Sequence, residues 1–260
     1  MRLKLTMGYE GTPFSGWQSQ SDGNAVQDVI EKAFLRIIGK RVVLHGAGRT
    51  DAGVHALGQC AHADVPEGSM NLMDWRRALN ANLPAEIRIF EVCQAQSDFH
   101  ARFSASGKIY RYRIWNAEIM PPLECRRAWH VPGSLNFELL RSNAALFEGR
   151  HDFTAFSANR IRAKARRTVP EGDALRTIKR IQVTCSAPQE IQLMFEGEGF
   201  LYKMVRMLTG ALVRVGQGKE VADWIPTLLG SPMEVKKNRY VAPAHGLYLV
   251  KVLYSKACIK

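Results

Sequence analysis

Long apolar runs are missing from this 260-residue sequence, and their absence limits where the protein can reside. Nowhere do 18 consecutive apolar residues occur, so a transmembrane helix is not expected. The opening residues, Met1–Leu5, alternate charged and apolar side chains and do not form the continuous apolar segment of a signal peptide. We therefore expect a cytoplasmic protein with no membrane partner.

Paired cysteines are also lacking. The five cysteines are odd in number and scattered, and none has the spacing of a zinc-binding knuckle. This usage is typical of free thiols in a reducing cytoplasm. The histidines His100, His151 and His245 have no obvious partners for binding a metal. The sequence therefore predicts no metal site.

Acidic residues are in the minority. Thirty-six Lys and Arg residues face 24 Asp and Glu residues, so the formal net charge is +12 and the sequence pI is near 9.7. A field of this sign suits nucleic acid, an acidic substrate or an anionic membrane. Since no membrane segment is expected, nucleic acid is the predicted partner. Basic residues that could contact phosphates are Lys108, Arg111, Arg113, those from Arg160 to Arg167, Lys236, Lys237 and Arg239.

The spacing of apolar residues predicts a mixture of strands and helices. Strands are predicted at 3–9, 42–44, 59–65, 87–92, 108–115, 177–185, 191–195 and 247–254. Helices are predicted at 26–37, 72–79, 137–147 and 201–212. Because strands and helices do not strictly alternate, the pattern favours an α+β fold with a mostly antiparallel sheet. The length allows one large domain or two closely associated halves.

The segment Gly48–His55 carries most of the chemical content. Gly48 and Gly53 bracket Asp51, so the backbone can turn sharply and present the carboxylate at a surface. Arg49 lies two residues earlier. On these residues alone, an Asx-turn and a surface ion pair are the commoner outcomes, and a catalytic role is the less favoured interpretation.

Six segments, in order along nearly the whole chain, resemble blocks of the TruA branch of the pseudouridine synthases. Gly48–His55 resembles the active-site signature of that branch, whose aspartate is the one catalytic group that the superfamily requires. The other segments are 8–18, 99–105 with 108–112, 149–156, 200–206 and 242–247. Residues 157–170 depart from the family's pattern. We expect the longer polar segment 157–173, which contains them, to form a mobile basic loop.

The resemblance implies an isomerase that converts uridine to pseudouridine at positions 38, 39 or 40 of the tRNA anticodon stem-loop and acts as a homodimer. It implies two similar RRM/ferredoxin-like halves joined into one broad, mostly antiparallel sheet, with helices on one face and a catalytic cleft between the halves. We place the first half, with the Asp51 loop, at 1–106. The second half, with the Arg206 helix and the final strand, is placed at 107–260.

The resemblance also implies roles for individual residues. Asp51 is the implied catalytic carboxylate; it can attack C1′ as a nucleophile or take a proton from C2′, and the sequence does not decide between them. Either role needs the ionised form, which a nearby cation favours, and Arg206 is the implied cation. The ring of Tyr110 would stack on the target base. Residues assigned to substrate binding are Arg49, Lys108, Tyr110 and Arg111.

Two other classes of RNA protein share some of these features. A non-catalytic protein built from RRM-like halves would have the same charge and α+β pattern, but the aromatic RRM signature is absent. A zinc-dependent base deaminase requires His-x-Glu and a later Pro-Cys-x-x-Cys, and neither string occurs. Because the isomerisation oxidises and reduces nothing overall, we expect no cofactor.

Overall fold

The computed structural model describes residues 1–158, 174–221, 223–230 and 238–255. These residues form ten β-strands and five α-helices, and the strands make a large, mostly antiparallel sheet. The predicted α+β class with a mostly antiparallel sheet is confirmed, whereas the helices on one face and the cleft between similar halves stay predictions. Basic residues 160–167, 236 and 237 fall outside the described ranges.

The helices and strands have the following bounds in chain order. They are β1 (Arg2–Tyr9), α1 (Val26–Ile38), β2 (His45–Gly46), β3 (His55–Asp64), α2 (Leu72–Asn82), β4 (Ile87–Gln94), β5 (Ala105–Trp115), β6 (Trp129–His130), α3 (Phe137–Ala145), β7 (Gly149–Asp152), β8 (Leu175–Ala187), β9 (Glu190–Gly197), α4 (Met204–Gly216), α5 (Trp224–Gly230) and β10 (Leu247–Tyr254). Three short 3₁₀-helices lie at Pro122–Glu124, Thr154–Phe156 and Ala244–Gly246.

The chain divides into two compact units. The first contains residues 1–109 with the carboxy-terminal segment from Tyr248, and the second contains residues 110–247. The division falls inside β5, three residues beyond the predicted boundary. The final strand, which we had grouped with the second half, belongs to the first unit apart from its first residue.

In the first unit, β1 pairs antiparallel with both β3 and β4, and β10 runs parallel to β3. Leu3, Leu5 and Met7 of β1 are fully buried, as the alternation of the segment predicts. Helix α1 contacts α2 through the rings of Phe34 and Trp75, whose centroids lie 5.4 Å apart. The buried face of each helix therefore meets the other helix.

Local signals explain where α1 begins and ends. The carboxylate of Asp28 accepts the N–H of Ala25 at 3.1 Å, which satisfies one donor at the start of the helix. At the other end Gly39 has φ 66° and donates its N–H to the carbonyl of Leu35 at 2.9 Å. A residue without Cβ suits this left-handed end, so the helix stops where Gly39 predicts.

In the second unit, β7, β8 and β9 form an antiparallel ladder, and β6 pairs parallel with β5. The hairpin that joins β8 to β9 lies at Pro188, as predicted. Phe147, Phe153 and Phe156 are fully buried and pack edge against face. Helix α4 is buried along most of its length and lies in the core of this unit.

The predicted strand at 42–44 is wrong. Only the two-residue β2 forms, just after it. The side chain of Glu31 accepts the N–H of Leu44 at 2.9 Å, and the side chain of Gln27 donates to the Leu44 carbonyl at 3.1 Å. Side chains of α1 thus satisfy this backbone in place of a neighbouring strand. Strands β6 and β7 and helix α5 were not predicted from the sequence.

Candidate active site

Asp51 lies in a turn between β2 and β3, in the first unit. The N–H of Val54 donates to the Asp51 carbonyl at 3.1 Å, and Gly53 has φ 78°. The positive φ at Gly53 lets the chain reverse within a few residues. Asp51 is half-buried. The turn therefore presents a carboxylate that is partly withdrawn from solvent.

The amino-terminal segment packs directly on this turn. Trp17 donates its N–H to the carbonyl of Thr50 at 3.0 Å. Gly16 has φ 95°, and a Cβ added there would lie 2.7 Å from the Thr50 oxygen. A Cβ added at Gly11 would lie 2.0 Å from the carbonyl oxygen of Val54. Both glycines are therefore needed so that the two backbones can approach each other.

A buried set of hydrogen bonds supports the turn from below. The hydroxyl of Tyr9 lies 2.8 Å from Oγ1 of Thr50. Nε2 of Gln59 donates to the Gly48 carbonyl at 2.9 Å and more weakly to the Tyr9 hydroxyl at 3.4 Å. Either hydroxyl of the Tyr9–Thr50 pair can donate to the other. Burial raises the pKa of Tyr9 to about 12, so the phenol is neutral at ordinary pH.

These supporting residues were not found by the sequence analysis. Tyr9 reads as the last apolar position of an alternating strand, and Gln59 reads as the first residue of another. Their separation from Thr50 along the chain leaves no local pattern. The only local indication of these hydrogen bonds was the hydroxyl of Thr50, the residue directly before Asp51.

Two cations predicted to bind substrate lie near the Asp51 turn. A Cβ added at Gly48 would lie 3.0 Å from Nζ of Lys108, so this side chain lies across the turn. Burial, and secondarily the charge of Arg102, lowers the pKa of Lys108. Arg49 is exposed and donates through Nε to the side chain of Gln18 at 3.1 Å.

The second unit contains Tyr110, Arg111 and Arg206. Tyr110 is buried in β5, with its ring edge against Phe200 at a centroid distance of 5.2 Å. Arg111 is half-buried and points to the other face of the strand. Arg206 lies in the first turn of α4, where its Nε donates to the carbonyl of Ala242 at 2.7 Å.

Tyr112 and His245 lie in the electrostatic field of Arg206. Burial raises the pKa of Tyr112 well above its usual value, and the charge of Arg206 opposes this rise. Burial also lowers the pKa of His245; a hydrogen bond with the Ala128 backbone opposes this shift and the charge of Arg206 adds to it. The Tyr112 hydroxyl donates to the carbonyl of Pro243 at 2.7 Å. Residues from β5, α4 and the segment before β10 thus meet around one arginine.

Each unit, taken by itself, offers groups suited to acid–base or nucleophilic chemistry or to holding an anion. The first unit provides a half-buried carboxylate with lysine and arginine side chains nearby, and the second provides a fixed arginine and a buried tyrosine. Within the described ranges, no group of three His, Cys, Asp or Glu side chains is placed to hold a metal ion. No helix in that part of the chain is long and apolar enough to cross a membrane.

Comparison with known proteins gives a consistent result. A family model described as tRNA pseudouridine synthase matches residues 6–104 and 144–255. A relative from Akkermansia muciniphila named tRNA pseudouridine synthase A is 44% identical over 97% of this chain and 95% of its own length. A relative of the same name from Acetivibrio thermocellus is 41% identical over 97% of this chain and 99% of its own length. The chain therefore belongs to the tRNA pseudouridine synthase family.

Proposed function

We propose that this protein converts uridine to pseudouridine at positions 38, 39 or 40 of the tRNA anticodon stem-loop, with Asp51 as the catalytic carboxylate. The observation that carries the proposal is the construction of the Asp51 turn. Two glycines of the amino-terminal segment, a backbone hydrogen bond from Trp17 and a buried tyrosine all hold the turn in one conformation. Such preorganisation is what a positioned catalytic group requires.

The reaction breaks the N1–C1′ bond, turns the base, forms a C5–C1′ bond and releases the proton of C5, while N1 takes up a proton, so that the product is an isomer of the substrate. Asp51 acts in its ionised form, either by attacking C1′ or by taking a proton from C2′. Both routes regenerate the carboxylate, and neither changes the oxidation state of the nucleoside. The chemistry therefore requires no redox cofactor.

We assign Arg206 to orienting Asp51 and keeping it ionised, because a neighbouring positive charge favours a carboxylate over its acid. The hydrogen bond from Arg206 to the Ala242 carbonyl limits the freedom of the side chain. Tyr110 stacks on the displaced base, since an aromatic ring is the usual support for a base outside its helix. Its hydroxyl is also the group that we assign to removing the C5 proton.

Substrate binding is assigned to Arg49, Lys108 and Arg111. Lys108 supports this assignment best, because it lies against Gly48 and has no carboxylate partner among the residues that the structure describes. A half-buried ammonium group without a counter-ion is suited to a phosphate. Arg49, exposed one residue before Thr50, is available for the displaced nucleotide.

We further propose that the enzyme acts in the cytoplasm as a symmetric homodimer. The physical reason for a dimer is that a folded stem-loop needs a wider basic surface than one copy of a chain of this size offers. The net charge of +12 supplies the sign of that surface. Light scattering at micromolar protein concentration measures the mass, and a fully active monomer would contradict the dimer.

Release of tritium from 5-tritiated uridine tests the function directly, because C5 loses its hydrogen only when the C5–C1′ bond is made. An anticodon stem-loop transcript is incubated with the protein and no added cofactor. We expect release by the wild type, none by Asp51→Asn, and unchanged release by Asp98→Asn, a control carboxylate exposed in the same unit. Asp51→Asn should bind the transcript as the wild type does.

The alternative, a non-catalytic RNA-binding protein, predicts binding of the same transcript without tritium release. Multiple turnover by a verified Asp51→Asn sample would instead remove Asp51 from the reaction. The two failures are therefore distinguishable.

A further inference from the structure

A tight turn at residues 100–104, which we name the Phe103 turn, presents an aromatic ring to solvent. Phe103 is 77% exposed, although large apolar side chains are usually buried. The ring of His100 lies beneath it, with centroids 4.3 Å apart and the planes inclined by 35°. The guanidinium of Arg102 lies 5.6 Å from the ring centroid. Proteins commonly bind unpaired nucleobases by stacking them on an exposed aromatic ring or on an arginine side chain.

Imidazole side chains hold the Phe103 turn in place. Nδ1 of His62 accepts the N–H of Ala101 at 3.1 Å. Nδ1 of His100 accepts the N–H groups of both Arg102 and Phe103, at 3.1 and 3.3 Å. The hydroxyl of Ser104 accepts the N–H of His100 at 3.0 Å. Four consecutive backbone donors are thus satisfied by side chains, and the ring is presented by a preorganised backbone.

The histidines that build the turn are suited to accept these hydrogen bonds. The rings of His45 and His62 stack at 4.9 Å, and those of His62 and His100 lie 4.7 Å apart. Burial lowers the pKa of His62 to about 4 and also lowers that of His100. A neutral imidazole that accepts at Nδ1 carries its hydrogen on Nε2. The turn therefore keeps its conformation at neutral pH.

Two basic side chains, Arg102 of the Phe103 turn and Lys108 beside the Asp51 turn, lie close to each other. Arg102 and Lys108 are close enough that the charge of Arg102 lowers the pKa of Lys108. Lys108 in turn lies against Gly48 of the Asp51 turn. In the described part of the chain neither cation has a carboxylate partner, so both are available to phosphates. Phe103 thus lies beside a basic strip that leads to the catalytic carboxylate.

We propose that Phe103 and Arg102 form a stacking site for an unpaired base of the RNA substrate, beside the nucleotide that is isomerised. This inference rests on the proposed function and adds a binding contact that the catalytic residues do not make. A stacking contact accepts any base, because every base has a π face. The site would therefore favour single-stranded loop over duplex without reading sequence.

Equilibrium binding of two RNAs to the 260-residue protein tests the proposal. One is the anticodon stem-loop, and the other is a blunt duplex with the same stem and no unpaired bases. Phe103→Leu should weaken binding of the stem-loop roughly ten-fold, as expected for the loss of one base–aromatic stack, and leave the duplex unchanged. Phe103→Trp should restore stem-loop binding. Phe90→Leu, which removes a 52% exposed ring from β4 of the same unit, should change neither affinity.

Salt dependence separates the two side chains of the site. Arg102→Gln should reduce the slope of log K against log salt by about one, whereas Phe103→Leu should leave the slope unchanged. Equal weakening of stem-loop and duplex by Phe103→Leu, or no weakening of either, would overturn the inference. A change in oligomeric mass at unchanged RNA affinity would also overturn it, because the ring would then belong to a protein interface. Tritium release by the wild type reports on the proposed function independently of these results.

Discussion

Replacing Thr50 by valine is expected to impair catalysis by removing one hydroxyl from beneath the Asp51 turn. Valine has the shape of threonine but cannot bond the Tyr9 hydroxyl, which lies 2.8 Å from Oγ1. Tyr9 is 5% exposed and Gln59 is fully buried, so water cannot easily replace the lost partner. Leaving a buried hydroxyl unsatisfied costs about 1–3 kcal/mol in the free energy of unfolding.

The catalytic effect is expected to be larger than the stability effect alone would suggest. Thr50 precedes Asp51 directly, and its backbone carbonyl already accepts the N–H of Trp17. A displacement of a catalytic group by about 1 Å can lower the rate by about 100-fold. We therefore expect kcat for tritium release to fall by up to about 100-fold while KM for the stem-loop changes little.

Matched variants separate positioning from stability. Thr50→Ser keeps the hydroxyl and should retain most of the rate. Tyr9→Phe removes the other hydroxyl. The double variant Tyr9→Phe, Thr50→Val should be little worse than Thr50→Val alone, because it removes both hydroxyls of the pair and the Gln59 amide keeps its stronger bond to the Gly48 carbonyl at 2.9 Å. Urea unfolding measures stability in parallel. If Thr50→Val lowers only the unfolding free energy and keeps the wild-type kcat, the hydrogen bonds support the fold and do not position Asp51.

Four further outcomes follow from the structure. Gly16→Ala should destabilise the protein by more than 1 kcal/mol in urea unfolding, because residue 16 has φ 95° and the new Cβ would lie 2.7 Å from the Thr50 oxygen. Gly68→Ala is the control: residue 68 also has a positive φ, of 68°, but its new Cβ would meet no atom within 4 Å, so the loss of stability should be smaller. The affinity for tRNA should fall steeply between low and physiological salt as condensed counterions are released, and a flat response would contradict a basic binding surface. The unfolding free energy should decrease by up to about 1.4 kcal/mol per pH unit as the pH falls from about 6.5 to about 4. The reason is that the folded state lowers the pKa of His62, through burial and the nearby charges of His100, His45 and Arg2, so the unfolded chain takes up the proton first. His62→Gln should flatten this decline. Tyr110→Leu should lower turnover by at least the roughly ten- to hundred-fold that loss of stacking alone implies. Tyr110→Phe should also be much impaired while still binding tRNA, because we assign its hydroxyl to removing the C5 proton.

The elements that could be predicted from the sequence are those whose signals are local. Strand β10 has the predicted bounds, Leu247–Tyr254, and α1 ends at Gly39 as expected. Alternation of buried and exposed side chains and a glycine at a helix end depend only on neighbours in the chain. Both kinds of prediction are confirmed because tertiary packing favours the same structure as the local sequence.

Predictions failed where partners from distant segments decide the structure. The segment at 42–44 alternates like a strand, yet side chains of Gln27 and Glu31 bond the backbone of Leu44 and no ladder forms there. The four-residue β7 pairs with β8 across more than twenty residues of sequence. Neither partner can be read from a window around the segment itself.

The Asp51 turn shows the same limit in the functional site. Taken alone, a glycine-bracketed aspartate favours an Asx-turn over a catalytic group, and nothing within residues 48–55 reverses that preference. What distinguishes this turn is the set of distant residues built around it. Gly11 and Gly16 lack the Cβ atoms that would collide with the backbone of residues 50–54, and Tyr9 supplies a buried hydroxyl. A surface turn with no positional task would not need three such constraints from one segment, because each restricts what the amino-terminal strand and loop can contain. The two segments that resemble the family at residues 8–18 and 48–55 therefore pack against each other in the structure.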